Sequence, residues 1–215
     1  MRLNRIHVTA VVLVSFLFLA GTAFADSVTL TYKGHGQGNP TSYPYLISIN
    51  GSANLTGMIC DSFDNSIYKG ETWEATATPL LQAIGLWGSG MSLDYKAAGL
   101  IYKSILAGTT SAGAGQWAIW GLFSKNATQN RLFTISGGAT VEAQYLAIAG
   151  SASNSAFNGL VLYTPIAGTQ TGNAGLPQEF IGYSPVPEPG SLLLLGTGLL
   201  GLGGVLRRKL AKAQN

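Results

Sequence analysis

Residues 191–206, SLLLLGTGLLGLGGVL, form an uncharged run that ends against Arg207, Arg208 and Lys209. As a helix, its 16 residues would span about 24 Å, short of a hydrocarbon core of ~30 Å. Five glycines (196, 198, 201, 203 and 204) weaken that helix further, each by roughly 1 kcal/mol relative to alanine. The basic cluster favours the cytoplasmic side and so leaves the rest of the chain on the other side. Ahead of the run, VPEPG (186–190) carries Pro187 and Pro189, which remove backbone donors and stop a preceding helix or strand. The whole reads as a single terminal span made for processing. It withdraws residues 186–215 from whatever folds upstream.

The other end is withdrawn in the same way. Arg2 and Arg5 precede the apolar stretch Ala10–Ala20, AVVLVSFLFLA, and Ala23 and Ala25 then place small residues at the two positions a signal peptidase reads. Cleavage is expected before Asp26. The stretch is short for a lasting anchor, and no cysteine stands at the new N-terminus to receive a lipid. The chain thus divides into a signal peptide (1–25), an exported domain (26–185) and a sorting segment (186–215). The last comprises a motif at 187–189, a transmembrane span at 191–206 and a basic tail at 207–215.

The formal charge of +3 belongs to these ends. Between Asp26 and Glu188, six Lys and Arg meet nine Asp and Glu, a balance of −3. A nucleic-acid footprint is excluded on that balance. Residues 26–185 suit one domain with its own core, and no fixed-period repeat points to a solenoid.

Within that domain the hydrophobic period changes twice. SVTLTYKG (27–34) and YPYLISING (43–51) alternate as strands do, joined by the loop GHGQGNPTS, and MICDSF offers a third strand. SLDYKAAGLIYKSILAG (92–108) then shows a helical period, with Ser92 as N-cap candidate and Ala97, Leu100, Ile101 and Ile105 on one face. Gly99 inside it calls for tertiary support. GQWAIWGLFS (115–124) and ATVEAQYLAIAG (139–150) are further helix candidates. Strand character returns in GLVLYTP (159–165) and QEFIGY (178–183). The reading is a single β-rich α+β domain with a helical middle section.

Chemistry-bearing residues are few. Cys60 is the only cysteine of the chain and His35 the only histidine of the exported part. They cannot build an ordinary zinc site, and Asp61, Asp64 and Asn65 lack an EF-hand pattern. No GxSxG elbow or phosphate loop occurs. Nothing calls for a metal or cofactor. In the helix candidate, Gln116, Ile119, Trp120 and Phe123 share one face. On helix physics alone, Gln116 sits in the first turn and caps free N–H groups.

Two resemblances add to this. Pro187-Glu188-Pro189, the Leu/Gly-rich span and Arg207-Arg208 together resemble the PEP-CTERM sorting signal of Gram-negative bacteria. That resemblance implies recognition by exosortase, a membrane peptidase or transpeptidase, and delivery to the cell surface or extracellular matrix. Cys60 in MICD and Gln116 in GQWAIW resemble the cysteine and glutamine of thioester domains in bacterial adhesins, where the two side chains join. Gly115 departs from that family, which has an apolar residue there. Cys60-Asp61-Ser62, AIW and TP…QEF (Thr164, Pro165; Gln178, Glu179, Phe180) also resemble segments shared by many PEP-CTERM proteins, where the first reads CxD.

The resulting expectation is an exported, non-enzymatic surface or matrix protein, structural or adhesive. Its Cys60–Gln116 thioester would be shielded from water by Trp117 and Trp120. Signal peptidase and exosortase would process it, the inner membrane would hold it transiently, and a surface amine or extracellular polysaccharide would be its target. The alternative is a non-covalent exopolysaccharide-binding module using Tyr32, Tyr43, Tyr45, Trp73 and Trp87. A Cys60–His35 hydrolase is the third reading.

Overall fold

Six short strands account for most of the alternating sequence. They are β1 (Asp26–His35), β2 (Tyr45–Ile49), β3 (Leu55–Cys60), β4 (Thr72–Pro79), β5 (Leu160–Pro165) and β6 (Phe180–Tyr183). They are seen in a computed structural model that describes residues 26–36, 43–86, 88–172 and 177–184, with Gly198 and Gly201. The expected signal peptide and, but for those two glycines, the expected sorting span lie outside the described residues. The compact unit that holds the six strands ends at Tyr183.

The strands close into a barrel in the order β1-β2-β3-β6-β5-β4, with every neighbouring pair antiparallel. Closure removes the exposed edges that an open sheet would present. The expected α+β class is therefore met by mixed helix and sheet, with the sheet closed. β4 falls in a stretch where no strand is expected.

Side-chain alternation explains why the strands differ in composition. Leu30 and Tyr32 of β1, Tyr45, Ile47 and Ile49 of β2, and Trp73 and Ala75 of β4 point into the barrel and are buried. β5 and the start of β6 are apolar at successive positions because both faces are covered. Val161, Tyr163 and Phe180 fill the barrel, while Leu160, Leu162 and Ile181 meet the helices. β3 ends in the same way, with Met58 and Cys60 inward and Ile59 toward the helices.

The helical section lies between β4 and β5: α1 (Leu80–Leu86), α2 (Ser89–Leu106), α3 (Ala112–Phe123), α4 (Lys125–Gln129), α5 (Arg131–Ile135) and α6 (Gly138–Ala149), then a 3-10 turn at Asn154–Phe157. α2 starts earlier than expected, capped by the backbone of Gly88 rather than by Ser92. Ala97, Ala98, Ile101 and Tyr102 of α2 are buried almost completely. Gly99 has its tertiary reason. A Cβ there would stand 2.7 Å from Leu80 Cδ2 and 3.2 Å from Leu160 and Phe157, so glycine lets α2 press onto α1, β5 and the 3-10 turn. Among the described residues no helix is long and apolar enough to cross a membrane.

Candidate functional site

Cys60 closes β3 at a point where the barrel meets α3. Its side chain is fully buried and forms no disulfide, packed in the barrel cluster with Tyr45, Trp73 and Phe180. Sγ accepts the Ser62 N–H at 3.3 Å and lies 3.5 Å from the Ser62 carbonyl. Burial pushes the thiol pKa far up, the Asp61 and Glu179 carboxyls push it further, and Trp120 and Ser62 offset part of the rise. Cys60 is therefore a neutral thiol at physiological pH.

α3 delivers Gln116 to this point. Ser111 caps the helix, its side chain accepting the Ala114 N–H at 3.3 Å. Gln116 is consequently past the first turn and caps nothing, contrary to the expectation from helix position alone. Its side chain is wholly buried, and Nε2 donates to the Cys60 carbonyl at 2.5 Å. Oε1 is buried without a donor. A buried amide carbonyl left unpaired costs about 1–3 kcal/mol, so this placement is not explained by stability. Gly115 makes the approach possible. A Cβ there would run into the side chains of Ile101 and Ile105 on α2, which is the steric reason no apolar residue precedes Gln116.

Trp117 and Trp120 lie on the same helix, 8% and 5% exposed. They pack edge to face, centroids 5.1 Å apart. Phe63, on the loop that follows Cys60, joins them at 5.5 and 5.3 Å, with Ala127 and Phe133 completing the cluster. Trp120 reaches the thiol closely enough to lower its pKa, although its indole N–H finds no hydrogen-bond partner of normal geometry.

The segment before β6 is stapled to the loop after Cys60. Gln178 Nε2 donates to Asn65 O at 2.6 Å and Ser62 O at 3.2 Å. The Glu179 N–H donates to Ser62 Oγ at 3.0 Å, and the Asp61 N–H donates to Glu179 O at 3.2 Å. Thr164 Oγ1 and Tyr95 OH donate to the two Glu179 carboxylate oxygens, each at 2.5 Å. The stretches Cys60-Asp61-Ser62, AIW, TP and QEF thus meet around one point. Helical and strand periodicity carried no sign of Phe63, Ser62 or Tyr95.

Two cavities flank it. One of about 300 Å³ is lined by Asp61, Glu179, Tyr95 and Phe123, among others. The other, about 220 Å³, is lined by His35, Tyr32, Tyr45 and Trp120, among others. A cavity of about 440 Å³ around Tyr68–Glu71 and Thr171 shares no lining residue with either.

His35 is the last residue of β1 rather than a loop residue. It packs against Tyr32 and Tyr45 at 5.4 and 4.9 Å, and burial lowers its pKa. Tyr32, Tyr45 and Trp73 are buried in the barrel, with Tyr32 and Tyr45 on the wall of the smaller cavity, and Tyr43 packs edge to face against Tyr102 of α2. Trp87 lies outside the described residues. Among the described residues no group of three His, Cys, Asp or Glu is placed to hold a metal ion. Asp26, the expected first residue after cleavage, is also the first residue of β1. Ala23, Ala25, Pro187, Glu188, Pro189, Arg207, Arg208 and Lys209 are outside the described residues.

The family model of the PEP-CTERM protein-sorting motif matches residues 185–209. The chain therefore carries an exosortase-directed sorting signal, which implies export with membrane-anchored processing. No curated protein matches the chain, and no solved structure does.

Proposed function

We propose that the exported domain is a single-use acyl donor, delivered to the cell surface or matrix of a Gram-negative bacterium, that fastens itself to an amine-bearing partner through a Cys60–Gln116 thioester. The observation that carries this reading is the buried hydrogen bond from Gln116 Nε2 to the Cys60 carbonyl, 2.5 Å long. It holds a carboxamide against the backbone of the residue that carries the chain's only thiol. In thioester formation Cys60 Sγ attacks the Gln116 amide carbon, the C–N bond breaks, and ammonia leaves with the thiol proton. The product survives where water is excluded, which both buried residues and the cover of Trp117, Trp120 and Phe63 favour.

An incoming primary amine then attacks the same carbon, forming a stable amide and freeing Cys60. The protein is consumed in the event, so it is not an enzyme in the turnover sense. It needs neither metal nor cofactor. Exosortase and signal peptidase are its processing partners, and a surface or matrix amine is its target.

Intact mass of the purified chain tests the reading. The expected result is a wild-type mass short by one ammonia, restored to the full value in Gln116→Ala apart from the substitution itself, with methylamine adding to wild type alone. A wild type of full mass that ignores methylamine sinks the proposal.

A further inference from the structure

The cavity of about 300 Å³ lined by Asp61 and Ser62, the two residues that follow Cys60, has three carboxyls in its lining, from Asp61, Asp64 and Glu179, and no Lys, Arg or His. Asp61 is only 3% exposed. Its Oδ1 accepts the Ser62 hydroxyl at 3.0 Å, whereas its Oδ2 is buried and receives no donor. What faces it is the Glu179 carboxyl, whose own oxygens accept from Tyr95 and Thr164. Two acceptors brought face to face hold together through a shared proton or through a cationic donor placed between them. Asp64 stands exposed on the rim and is kept ionised by hydrogen bonds from Asn126 and Ser124. Phe63, Phe123 and Met91 supply apolar wall, suited to the methylene stem that carries a charged head.

We propose that this cavity receives the alkylammonium group of the acceptor, a lysine side chain or another primary amine, and that the Asp61–Glu179 pair takes its proton. The inference rests on the thioester reading and names the entry side and the base. Ser62 links the two places: its N–H bonds Cys60 Sγ at 3.3 Å, and its hydroxyl bonds Asp61 at 3.0 Å. The ammonium gives one proton to the carboxyl pair as the proton that the pair already shares passes to solvent through the cavity. The freed nitrogen lone pair attacks the Gln116 carbonyl carbon, the C–S bond breaks with its electrons on sulfur, and the second proton moves from nitrogen to Cys60. An amide, a thiol and one released proton account for every atom. The raised pKa of the thiol makes the sulfur a ready acceptor for that second proton.

The test compares capture of methylamine, a cation at neutral pH, with capture of uncharged hydroxylamine, both followed by intact mass on the full chain. Glu179→Gln is expected to raise the hydroxylamine-to-methylamine rate ratio by about 100-fold. An unchanged ratio in a variant that still holds the thioester overturns the inference and leaves the thioester standing. Calorimetry on Cys60→Ala, which has no thioester to lose, tests the cavity by itself. Saturable binding of n-butylammonium, absent for n-butanol and absent in Cys60→Ala/Glu179→Gln, is the expected result. Equal responses to the amine and the alcohol overturn the inference, whatever the wild-type mass shows.

Discussion

Asp61 is buried with its carboxyl well above the ordinary range, first because of desolvation and then because the Glu179 carboxyl faces it. The folded chain therefore keeps a proton that the unfolded chain gives up near pH 3.8. Stability from this group is fully present below that value and is lost as pH rises toward the folded pKa. The slope approaches about 1.4 kcal/mol per pH unit while the folded form alone holds the proton. Cys60, Tyr95 and Glu179 surround the carboxyl. Asp94 and Glu142, both raised by burial, add slope of the same sign, and Asp64, lowered, adds the opposite. The difference between wild type and Asp61→Asn isolates the Asp61 contribution. In urea unfolding from about pH 4 to about pH 8, wild type should lose stability relative to Asp61→Asn as pH rises. Parallel curves would show that Asp61 is ionised in the fold.

At the scale of elements, the site depends on how closely α3 lies to α2 and β3. Gly115 sets the first of these distances, because a Cβ there would collide with Ile105. Gly115→Val should cost about 1–3 kcal/mol in urea unfolding through overpacking. By shifting α3 it should also reduce the fraction of chains whose mass lacks ammonia. A variant of wild-type stability and mass would mean that α2 yields freely. Ser111→Ala probes the same helix from its end and should cost about 1 kcal/mol through loss of the cap. What the sequence shows of this level follows physical lines. β1, β2, β5 and β6 announce themselves by alternation or by apolar runs. β4 does not, because Ala75 and Ala77 fill its inward positions with side chains too small to mark a period, and only Trp73 stands out. α4 and α5 are five residues each, too short for a helical period to register. Barrel closure needs β1 to pair with β4 and β3 with β6, which local pattern does not encode. The Cys60–Gln116 encounter is foreshadowed by resemblance, not by periodicity. The segments that hold the carboxyl pair are foreshadowed by resemblance too, but their meeting is not, since Ser62 beside Asp61 bonds Glu179 across 117 residues.

For the whole molecule, folding and sorting occupy consecutive stretches of chain. β6 ends at Tyr183 and the sorting motif match begins at residue 185, so the last strand of the barrel is complete before the motif starts. β6 pairs with both β3 and β5 and brings Phe180 against Cys60, so the strands that frame the proposed thioester site all precede the motif in the sequence. Changing the motif should then separate delivery from chemistry. Replacing Pro187, Glu188 and Pro189 by alanine should leave the protein unprocessed in the inner membrane fraction, while its mass still lacks one ammonia and still gains methylamine. Cys60→Ala should show the converse, with normal processing and release but no covalent adduct to any surface or matrix amine. Fractionation with intact mass on each fraction distinguishes the two. Release of the motif variant at the wild-type level would contradict processing at this motif. Loss of the ammonia deficit in that same variant would show that the sorting segment is needed to build the site.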